Sequence, residues 1–241
     1  SLTAGARCRD LGHVGNDACG GGGTCERGDS SSKAGRTVVY HIIRWLGWIF
    51  FKCVFRLEVE GRHHIPKTGA VLLYANHRSN WDPPILAVSV PRRVHYMAKA
   101  ELFRNPLFAA LIRWFGAFPV KRGTADVGAI RQGLKLLKQG QVLIIFPEGH
   151  RSKTGAIGKP QPGAAMFALK ADVTAVPALL TGDFRPFGKV RVKILPPVDV
   201  QALAAGDREK PLEEVAALMM EPIRLALQET LSDGRTTDSH A

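Results

Sequence analysis

Cysteine is scarce in this sequence, and the patterns that would give it a structural role are missing. The chain has 4 cysteines among 241 residues. Three of them, Cys8, Cys19 and Cys25, lie near the N-terminus with His13, but their spacings match no paired C-x-x-C pattern. We therefore expect no zinc or other metal site there. Cys53 stands alone in the remaining sequence, so we expect no structural disulfide and a cytosolic setting.

Other absences narrow the possible functions. The sequence contains no internal repeat, and no serine or cysteine stands in an obvious nucleophile elbow, which argues against a nucleophile supplied by the protein. Acidic residues number 21 against 33 lysines and arginines, giving a formal net charge of +12. A basic chain often binds nucleic acid, but here the basic residues are scattered and no nucleic-acid motif is present. We therefore expect no nucleic-acid partner.

No long apolar run is free of charged residues. Residues 38–55 are almost wholly apolar, but Arg44 and Lys52 interrupt them. Each would cost about 2.5–3.5 kcal/mol at a bilayer centre, and the run is short of the roughly 20 residues that a span needs. We predict a membrane-associated helix over residues 37–57, embedded in one leaflet at the cytoplasmic face of the cell membrane. A single-pass anchor and a buried core helix are the alternatives.

Two polar motifs each follow a short apolar, strand-like run. Residues 76–82 read N-H-R-S-N-W-D after the run 71–75, and residues 146–152 read F-P-E-G-H-R-S after another. A regular helix would not join His77 to Asp82, because only side chains three or four apart share a helix face. A turn between strand and helix would join them, and an aspartate before two prolines is typical of a helix N-cap. We therefore predict that a loop brings the histidine to the aspartate, although each could be purely structural.

These motifs resemble those of the glycerolipid acyltransferase family, whose hallmarks are an N-H-x-x-x-x-D block and an F-P-E-G-x-R-S block. Two weaker blocks of that family resemble residues 116–122 and 176–182, in the same order. The resemblance runs from about residue 38 to residue 200, with His150 where the family usually has threonine or a similar residue. The layout is most similar to bacterial 1-acylglycerol-3-phosphate acyltransferases.

The resemblance implies a membrane enzyme of phospholipid biosynthesis. It would move a fatty acyl group from acyl-CoA or acyl carrier protein to the free hydroxyl of 1-acylglycerol 3-phosphate (lysophosphatidic acid), forming phosphatidic acid. No cofactor is implied beyond this co-substrate, and the partners are the two substrates and the lipid bilayer. The alternatives are an acyltransferase for another lysolipid or for glycerol 3-phosphate, a non-catalytic lipid-binding module, and a thioester hydrolase.

The same resemblance suggests roles for individual residues. His77 would be the general base, oriented by Asp82. Arg151 is the first choice for the acceptor phosphate and Arg122 the second, because a guanidinium can donate two parallel hydrogen bonds to a phosphate. Glu148 would position Arg151 or contact the acceptor directly. We expect the oxyanion donors among the backbone N–H groups at the start of the helix that begins near Asp82. The remaining substrate-binding candidates in these blocks are Asn76, Lys121, Gly149 and Ser152.

Strand-like and helix-like segments alternate along the chain, which predicts an α/β fold. We expect a single-domain αβ sandwich with a mixed, largely parallel sheet, in which residues 190–194 form a half-exposed edge strand. Pro222 should kink or split the last helix. The predicted divisions are a flexible leader rich in glycine and serine (1–36), the membrane-associated helix (37–57), the acyltransferase domain (58–206), and a C-terminal helix with its tail (207–241).

Overall fold

A computed structural model describes residues 30–121, 126–152, 154–171, 173–205 and 210–234. Its α-helices are α1 (Ser30–Val54), α2 (Asp82–Ser89), α3 (Pro106–Trp114), α4 (Val127–Lys138), α5 (Gly163–Lys170), α6 (Val200–Ala204) and α7 (Leu212–Ser232). Its strands are β1 (Glu58–Glu60), β2 (Val71–Ala75), β3 (Val94–Lys99), β4 (Ala117–Val120), β5 (Val142–Ile145), β6 (Thr174–Gly182) and β7 (Val190–Ile194). Short 3₁₀ turns cover Arg62–His64 and Ala100–Phe103.

The strands of the described chain form one sheet, in the order β1-β7-β6-β2-β5-β3-β4. Every neighbouring pair is parallel except β6 and β7, which are antiparallel. The predicted αβ sandwich with a mixed, largely parallel sheet is thereby confirmed. Strand β2 lies at the centre between β5 and β6, and all five of its residues are buried, as expected where helices cover both faces of a sheet.

Two apolar layers hold the sheet between its helices. On one face, Phe51 of α1 and Ile85 of α2 pack in a cluster with Leu73 of β2. On the other face, Phe167 of α5 packs in a cluster with Leu72, and α4 and α7 complete this layer. Alternate residues of β2 thus serve opposite faces, because side chains along a strand point to opposite sides. Each such buried side chain stabilises the fold by about 1.5–3 kcal/mol.

Helix α1 carries an exposed apolar stripe. The helix begins at Ser30, earlier than the predicted start at residue 37, and it ends at Val54. The Arg44 guanidinium donates to the carbonyl of Val90, so this charged side chain bonds back to the protein. Among the described residues, no helix is long and apolar enough to cross a membrane. The exposed apolar residues of α1 are Ile42, Trp45, Leu46 and Phe50.

Helix α3 also leaves most of its apolar surface exposed. Its Leu107 is 83% exposed, and Ala109 is its one buried residue. The Trp114 ring lies 5.6 Å from the ring of Tyr40, so α3 ends beside α1. This exposure tells against α3 as a helix of the apolar core.

One local prediction is wrong. Strand β7 is not at the edge, because β1 pairs outside it; β1 has only three residues, E-V-E, and gives no apolar signal. Of the kink or split predicted at Pro222, the split is not seen, because α7 is continuous around this residue; the kink stays a prediction. Met220 before the proline and Ile223 after it are both fully buried, so packing holds the helix despite the lost N–H donor.

Several predictions concern residues outside the described ranges. They include the substrate-binding role of Arg122 and the group formed by Cys8, Cys19, Cys25 and His13. Residues 1–29 of the predicted leader and residues 235–241 of the predicted tail also lie outside. The predicted domain boundaries stay predictions.

Candidate active site

The two polar motifs meet at one edge of the sheet. Strands β2 and β5 are parallel neighbours, with Tyr74 opposite Ile145 in the register. The segments that follow them, residues 76–82 and 146–152, therefore leave the sheet side by side at its carboxyl edge. In α/β sheets, ligands bind in crevices outside this edge. The amide of Ser152 donates to the carbonyl of His77 at 2.8 Å and ties the two segments together.

His77 is bonded to Asp82, as the spacing predicted. Nδ1 of the imidazole lies 2.7 Å from Oδ2 of the carboxylate, and the aspartate is fully buried. An ionised carboxylate only accepts hydrogen bonds, so Nδ1 carries the proton and Nε2 is the basic nitrogen. Nε2 has no hydrogen-bond partner among the described residues and is not fully buried. The ring can therefore take up a proton from a group outside the protein.

Backbone amides fix the Asp82 carboxylate. Its Oδ2 accepts from the amide of Arg78 at 2.6 Å and from that of Ser79 at 2.8 Å, in addition to His77. The predicted N-cap role is wrong, because Asp82 is the first residue of α2 and its carboxylate bonds backward to the loop. Trp81 flanks the helix start without a side-chain cap. The aspartate thus shapes the loop that holds the histidine.

The expected oxyanion donors are not available at the start of α2. The amides of Arg78 and Ser79 already donate to the Asp82 carboxylate. The amide of Trp81 donates to the Ser79 hydroxyl, and that of Asp82 to the Ser79 carbonyl. The next two residues are prolines, which have no N–H. This prediction is therefore wrong for the groups that it named.

Phe146 forms one wall of the site. Its ring stacks on the His77 imidazole with 4.3 Å between the centroids and 23° between the planes. The stacking restricts the imidazole to a narrow range of orientations. Sequence reasoning placed Phe146 at the end of an apolar run and at the start of the second motif but gave it no role. Its position one residue after β5, beside the loop that follows β2, is the signal that could have identified that role.

Glu148 is a buried carboxylate that holds two loops. Its Oε1 accepts from the amide of His77 at 3.0 Å, and its Oε2 accepts from the amide of Gly158 at 2.9 Å. The residue is 1% exposed and forms no ion pair with any described residue. A Cβ at position 158 would lie 3.0 Å from Oε2, so only glycine allows this close approach without a shift. Of the two predicted roles, pairing with Arg151 is not seen among the described residues, and direct contact with the acceptor stays a prediction.

Asn76 also has its side chain bonded within the protein. Its amide nitrogen donates to the carbonyl of Leu180 at 3.0 Å, and its amide oxygen accepts from the amide of the same residue at 2.8 Å. The side chain thereby continues the pairing between β2 and β6 one residue beyond Ala75. Its predicted role in substrate binding stays a prediction, beside this structural role.

The cationic candidates are placed at the same edge of the sheet. Arg151 is exposed and has no carboxylate partner among the described residues, so its guanidinium is available to an anion. Lys121 follows β4, which lies three strands from β2, or about 14 Å at the usual strand spacing. Gly149 has φ of 70°, a left-handed conformation that glycine adopts readily in turns, and its role in substrate binding stays a prediction.

A separate cavity of about 280 Å³ lies between β1, β7 and α7. Glu58 in its wall pairs with Lys189 and Arg191, and Lys193 pairs with Glu229. Its charges are largely neutralised by one another, and none of the predicted site residues lines it. The chemistry of the chain is better sought at the carboxyl edge.

Comparisons with known proteins find similar sequences and a similar fold. The family model described as "Acyltransferase" matches residues 56–181, about half of the chain. A 1-acyl-sn-glycerol-3-phosphate acyltransferase of Streptococcus pneumoniae is 39% identical over 134 residues, 52% of this chain and 49% of the relative. The human 1-acyl-sn-glycerol-3-phosphate acyltransferase alpha is 30% identical over 193 residues, 75% of this chain and 66% of the relative. The chain spans about half the length of several such curated relatives.

A solved structure has a similar fold. The crystal structure of the 1-acyl-sn-glycerophosphate (LPA) acyltransferase PlsC from Thermotoga maritima aligns with a TM-score of 0.66 and 28% sequence identity. The alignment covers 82% of each chain, so the likeness extends well beyond the segment that the family model matches.

Proposed function

Because the chain belongs to the acyltransferase family, we propose that it transfers a fatty acyl group from an acyl thioester to the free hydroxyl of 1-acylglycerol 3-phosphate, forming phosphatidic acid. The acyl donor would be acyl-CoA or acyl carrier protein. The names of the relatives in Streptococcus pneumoniae and human, and of the solved Thermotoga maritima structure, support this acceptor. No cofactor is needed for the reaction.

The observation that carries the proposal is the bond between Nδ1 of His77 and the buried Asp82 carboxylate. Nε2 takes the proton of the acceptor hydroxyl while that oxygen attacks the thioester carbonyl carbon. The tetrahedral intermediate then collapses, the carbon–sulfur bond breaks, and the imidazolium returns the proton to the leaving thiolate. The carboxylate stabilises the imidazolium, as in the serine-hydrolase triad. The substrate supplies its own nucleophile, so no acyl-enzyme forms.

The acceptor phosphate would bind the Arg151 guanidinium. Arg151 precedes Ser152, whose amide donates to the carbonyl of His77. A cation is therefore next in sequence to a residue that contacts the loop of the general base. A planar guanidinium can donate two hydrogen bonds to the phosphate and fix the glycerol backbone. Lys121 and Gly149 would contribute at the periphery of the same site. Arg122, the second choice for the phosphate, lies outside the described residues. Asn76 and Ser152 would act indirectly, by holding the loop that carries His77 in position.

We propose that the chain attaches to the cytoplasmic face of a membrane through α1. The stripe of Ile42, Trp45, Leu46 and Phe50 is exposed along one side of this helix. Aromatic and aliphatic side chains at such a spacing suit a helix lying in one leaflet. The acyl chain of a lysophospholipid partitions into a bilayer, so attachment to a membrane would bring the acceptor to the enzyme.

The test is turnover with candidate acceptors and both kinds of donor, with the lipid products identified by mass spectrometry. His77→Ala should lower kcat about 10²- to 10⁴-fold, the usual contribution of a general base. Asp82→Asn should also lower kcat, because it disturbs the tautomer. His63→Ala, which changes an exposed histidine away from the site, is the matched control and should keep full activity. Full activity in a folded His77→Ala variant would contradict the mechanism.

The same assay separates the alternatives. Thiol release without an acceptor would indicate a hydrolase, and binding without turnover would indicate a lipid-binding module. If product formed only from glycerol 3-phosphate or from another lysolipid, that compound would be the acceptor in place of lysophosphatidic acid. Arg151→Ala should raise the KM for a phosphate-bearing acceptor, while Arg131→Ala, at an exposed position on α4, should leave it unchanged.

A further inference from the structure

Two bulky residues adopt left-handed backbone conformations at the same place in the molecule. Among the described residues, the non-glycine residues with positive φ are Arg56 at 44° and Phe187 at 67°. Arg56 follows the C-terminal end of α1 by two residues. The amide of Phe187 donates to the carbonyl of Val54, the last residue of α1. Both strained residues therefore flank the end of this helix.

The strain is informative because glycine would avoid it. Left-handed backbone is unfavourable for residues with a Cβ, and for a bulky side chain it is an outlier that often marks a functional position. The neighbouring Gly188 shows the loop using glycine where a Cβ cannot fit, since a Cβ there would lie 2.4 Å from the carbonyl oxygen of Asp183. Phe187 keeps its ring although the ring is 76% exposed and adds little to the core.

The two left-handed residues lie at the C-terminal end of the helix that carries the apolar stripe. That stripe runs along the helix through Ile42, Trp45, Leu46 and Phe50 towards the end where the Phe187 loop is bonded. The loop leaves the sheet after β6, which is parallel to β2, and so it shares the carboxyl edge with His77. The exposed ring is thus at the border between the stripe and the candidate active site.

Some cations near this border pair with carboxylates and others do not. Arg185 pairs with Asp183, and Lys189 pairs with Glu58. Arg56 and Lys52 are exposed and, like Arg78, have no carboxylate partner among the described residues. An exposed aromatic ring and an exposed guanidinium at the same end of α1 suit the boundary between acyl chains and phosphate headgroups. The net charge of +12 favours the same kind of partner, an anionic bilayer.

We propose that Phe187 and Arg56 form a second membrane contact, in addition to the stripe of α1. The ring inserts at the acyl boundary and the guanidinium binds lipid phosphates, which sets the height of the active-site edge above the bilayer. The contact rests on the proposed membrane attachment through α1. Its occupant is an anionic lipid surface.

The test compares Phe187→Asn and Arg56→Asn in sedimentation with vesicles. Asparagine tolerates left-handed backbone, so both variants should keep or raise the melting temperature. Phe187→Asn should weaken binding about tenfold to phosphatidylglycerol and phosphatidylcholine vesicles alike. Arg56→Asn should weaken binding about fivefold to phosphatidylglycerol vesicles only, and the difference should vanish at high salt.

Matched controls lie on the opposite face of the sheet. Leu231→Asn removes an exposed apolar side chain from the end of α7, and Arg131→Asn removes an exposed cation from α4; both should bind vesicles like the unaltered chain. Vesicle binding unchanged by Phe187→Asn would overturn the proposal. So would a loss of self-association in that variant, seen by analytical ultracentrifugation without a change in vesicle binding, because a second copy would then be the occupant.

A separate readout keeps this proposal distinct from the proposed reaction. Acyl transfer to a short-chain, water-soluble lysophosphatidate, measured without vesicles, should be the same in Phe187→Asn, Arg56→Asn and the unaltered chain. Vesicle binding that follows the expected pattern in a chain without turnover would reject the reaction and leave the membrane contact standing. Turnover with no vesicle binding by the unaltered chain would reject the contact alone.

Discussion

At the scale of single residues, two buried carboxylates organise the candidate active site without a lysine or arginine partner among the residues that the structure describes. Asp82 accepts two backbone amides and the imidazole of His77, and Glu148 accepts the amides of His77 and Gly158. Hydrogen bonds to a charged acceptor are stronger than neutral ones. Both oxygens of Glu148 and Oδ2 of Asp82 receive such bonds, whereas Oδ1 of Asp82 is buried and has no hydrogen-bond partner among the described residues. The histidine is thus held at its ring by one acid and at its backbone by the other.

Glu148→Gln should act on catalysis through the position of His77. A glutamine side chain offers one acceptor oxygen, so one of the two amides loses its partner and faces an NH₂ group. We expect a lower kcat with little change in the acceptor KM, and a loss of about 1–3 kcal/mol in the free energy of unfolding. Steady-state kinetics and urea denaturation would measure both.

Glu60→Gln, at an exposed position on β1, is the control and should change neither quantity. A Glu148→Gln variant with unchanged kcat and a raised acceptor KM would instead indicate direct contact with the acceptor.

Sequence reasoning predicted the contact between His77 and Asp82 because their spacing excluded a helix and the flanking residues indicated a turn. It did not predict the role of Glu148, because the partners of this side chain are backbone amides. Every residue except proline has a backbone amide, so the sequence does not show which amides a side chain will bind. Phe146 was hidden for a related reason. Its apolar character fits a strand as well as it fits the wall of a site.

At the scale of elements, strong periodicity was a good guide and weak periodicity was not. The two apolar runs that precede the polar motifs both predicted observed strands, since β2 covers Val71–Ala75 and β5 covers Val142–Ile145. Strand β1 was missed because pairing with β7, rather than an apolar pattern, makes it a strand. The alternation in β7 correctly indicated one covered face but could not show whether another strand lies beside it.

The packing of α4 against α5 gives a test of this layer. A Cβ at Gly133 would lie 2.8 Å from the ring of Phe167, which is itself buried. Gly133→Ala should therefore destabilise the fold by about 1–2 kcal/mol, since overpacking outweighs the better helix propensity of alanine. Chemical denaturation would measure the change.

Gly163→Ala is the matched variant, because nothing lies within 4 Å of the added Cβ at the start of α5. It should be neutral or slightly stabilising. An equally stable Gly133→Ala variant would show that this helix contact is looser than the structure indicates.

At the scale of the whole molecule, folding makes stability depend on pH through His95 of β3. Burial lowers the pKa of His95 below its ordinary value of 6.5, and the nearby Arg93 guanidinium lowers it further. The unfolded chain then binds a proton at a higher pH than the folded chain does. The free energy of unfolding should therefore fall as the pH drops below about 6.5.

His95→Gln should reduce this slope, because the group that titrates differently in the two states is gone. Urea denaturation from about pH 7.5 to about pH 5 would compare the variant with the unaltered chain. His63→Gln, at an exposed position, should keep the original slope. Parallel pH profiles for the His95 variant and the unaltered chain would contradict the assignment.

The fold class was predictable because alternating strands and helices leave few arrangements. The surface that contacts a membrane under our proposal was less predictable. The net charge of +12 and the apolar residues of α1 are readable in the sequence, but the left-handed residues that bring Phe187 to the end of that helix are not. They depend on a backbone contact between segments more than 130 positions apart.

The hydrogen bonds of the Asn76 side chain affect local unfolding near the candidate active site. By bonding both backbone groups of Leu180, it fastens the loop of the general base to a central strand as an additional rung of the ladder. That loop then cannot unfold locally while the sheet remains intact. In deuterated solvent, the amide protons of His77 and Leu180 should exchange as slowly as those in the middle of β2, and only when the entire domain comes apart.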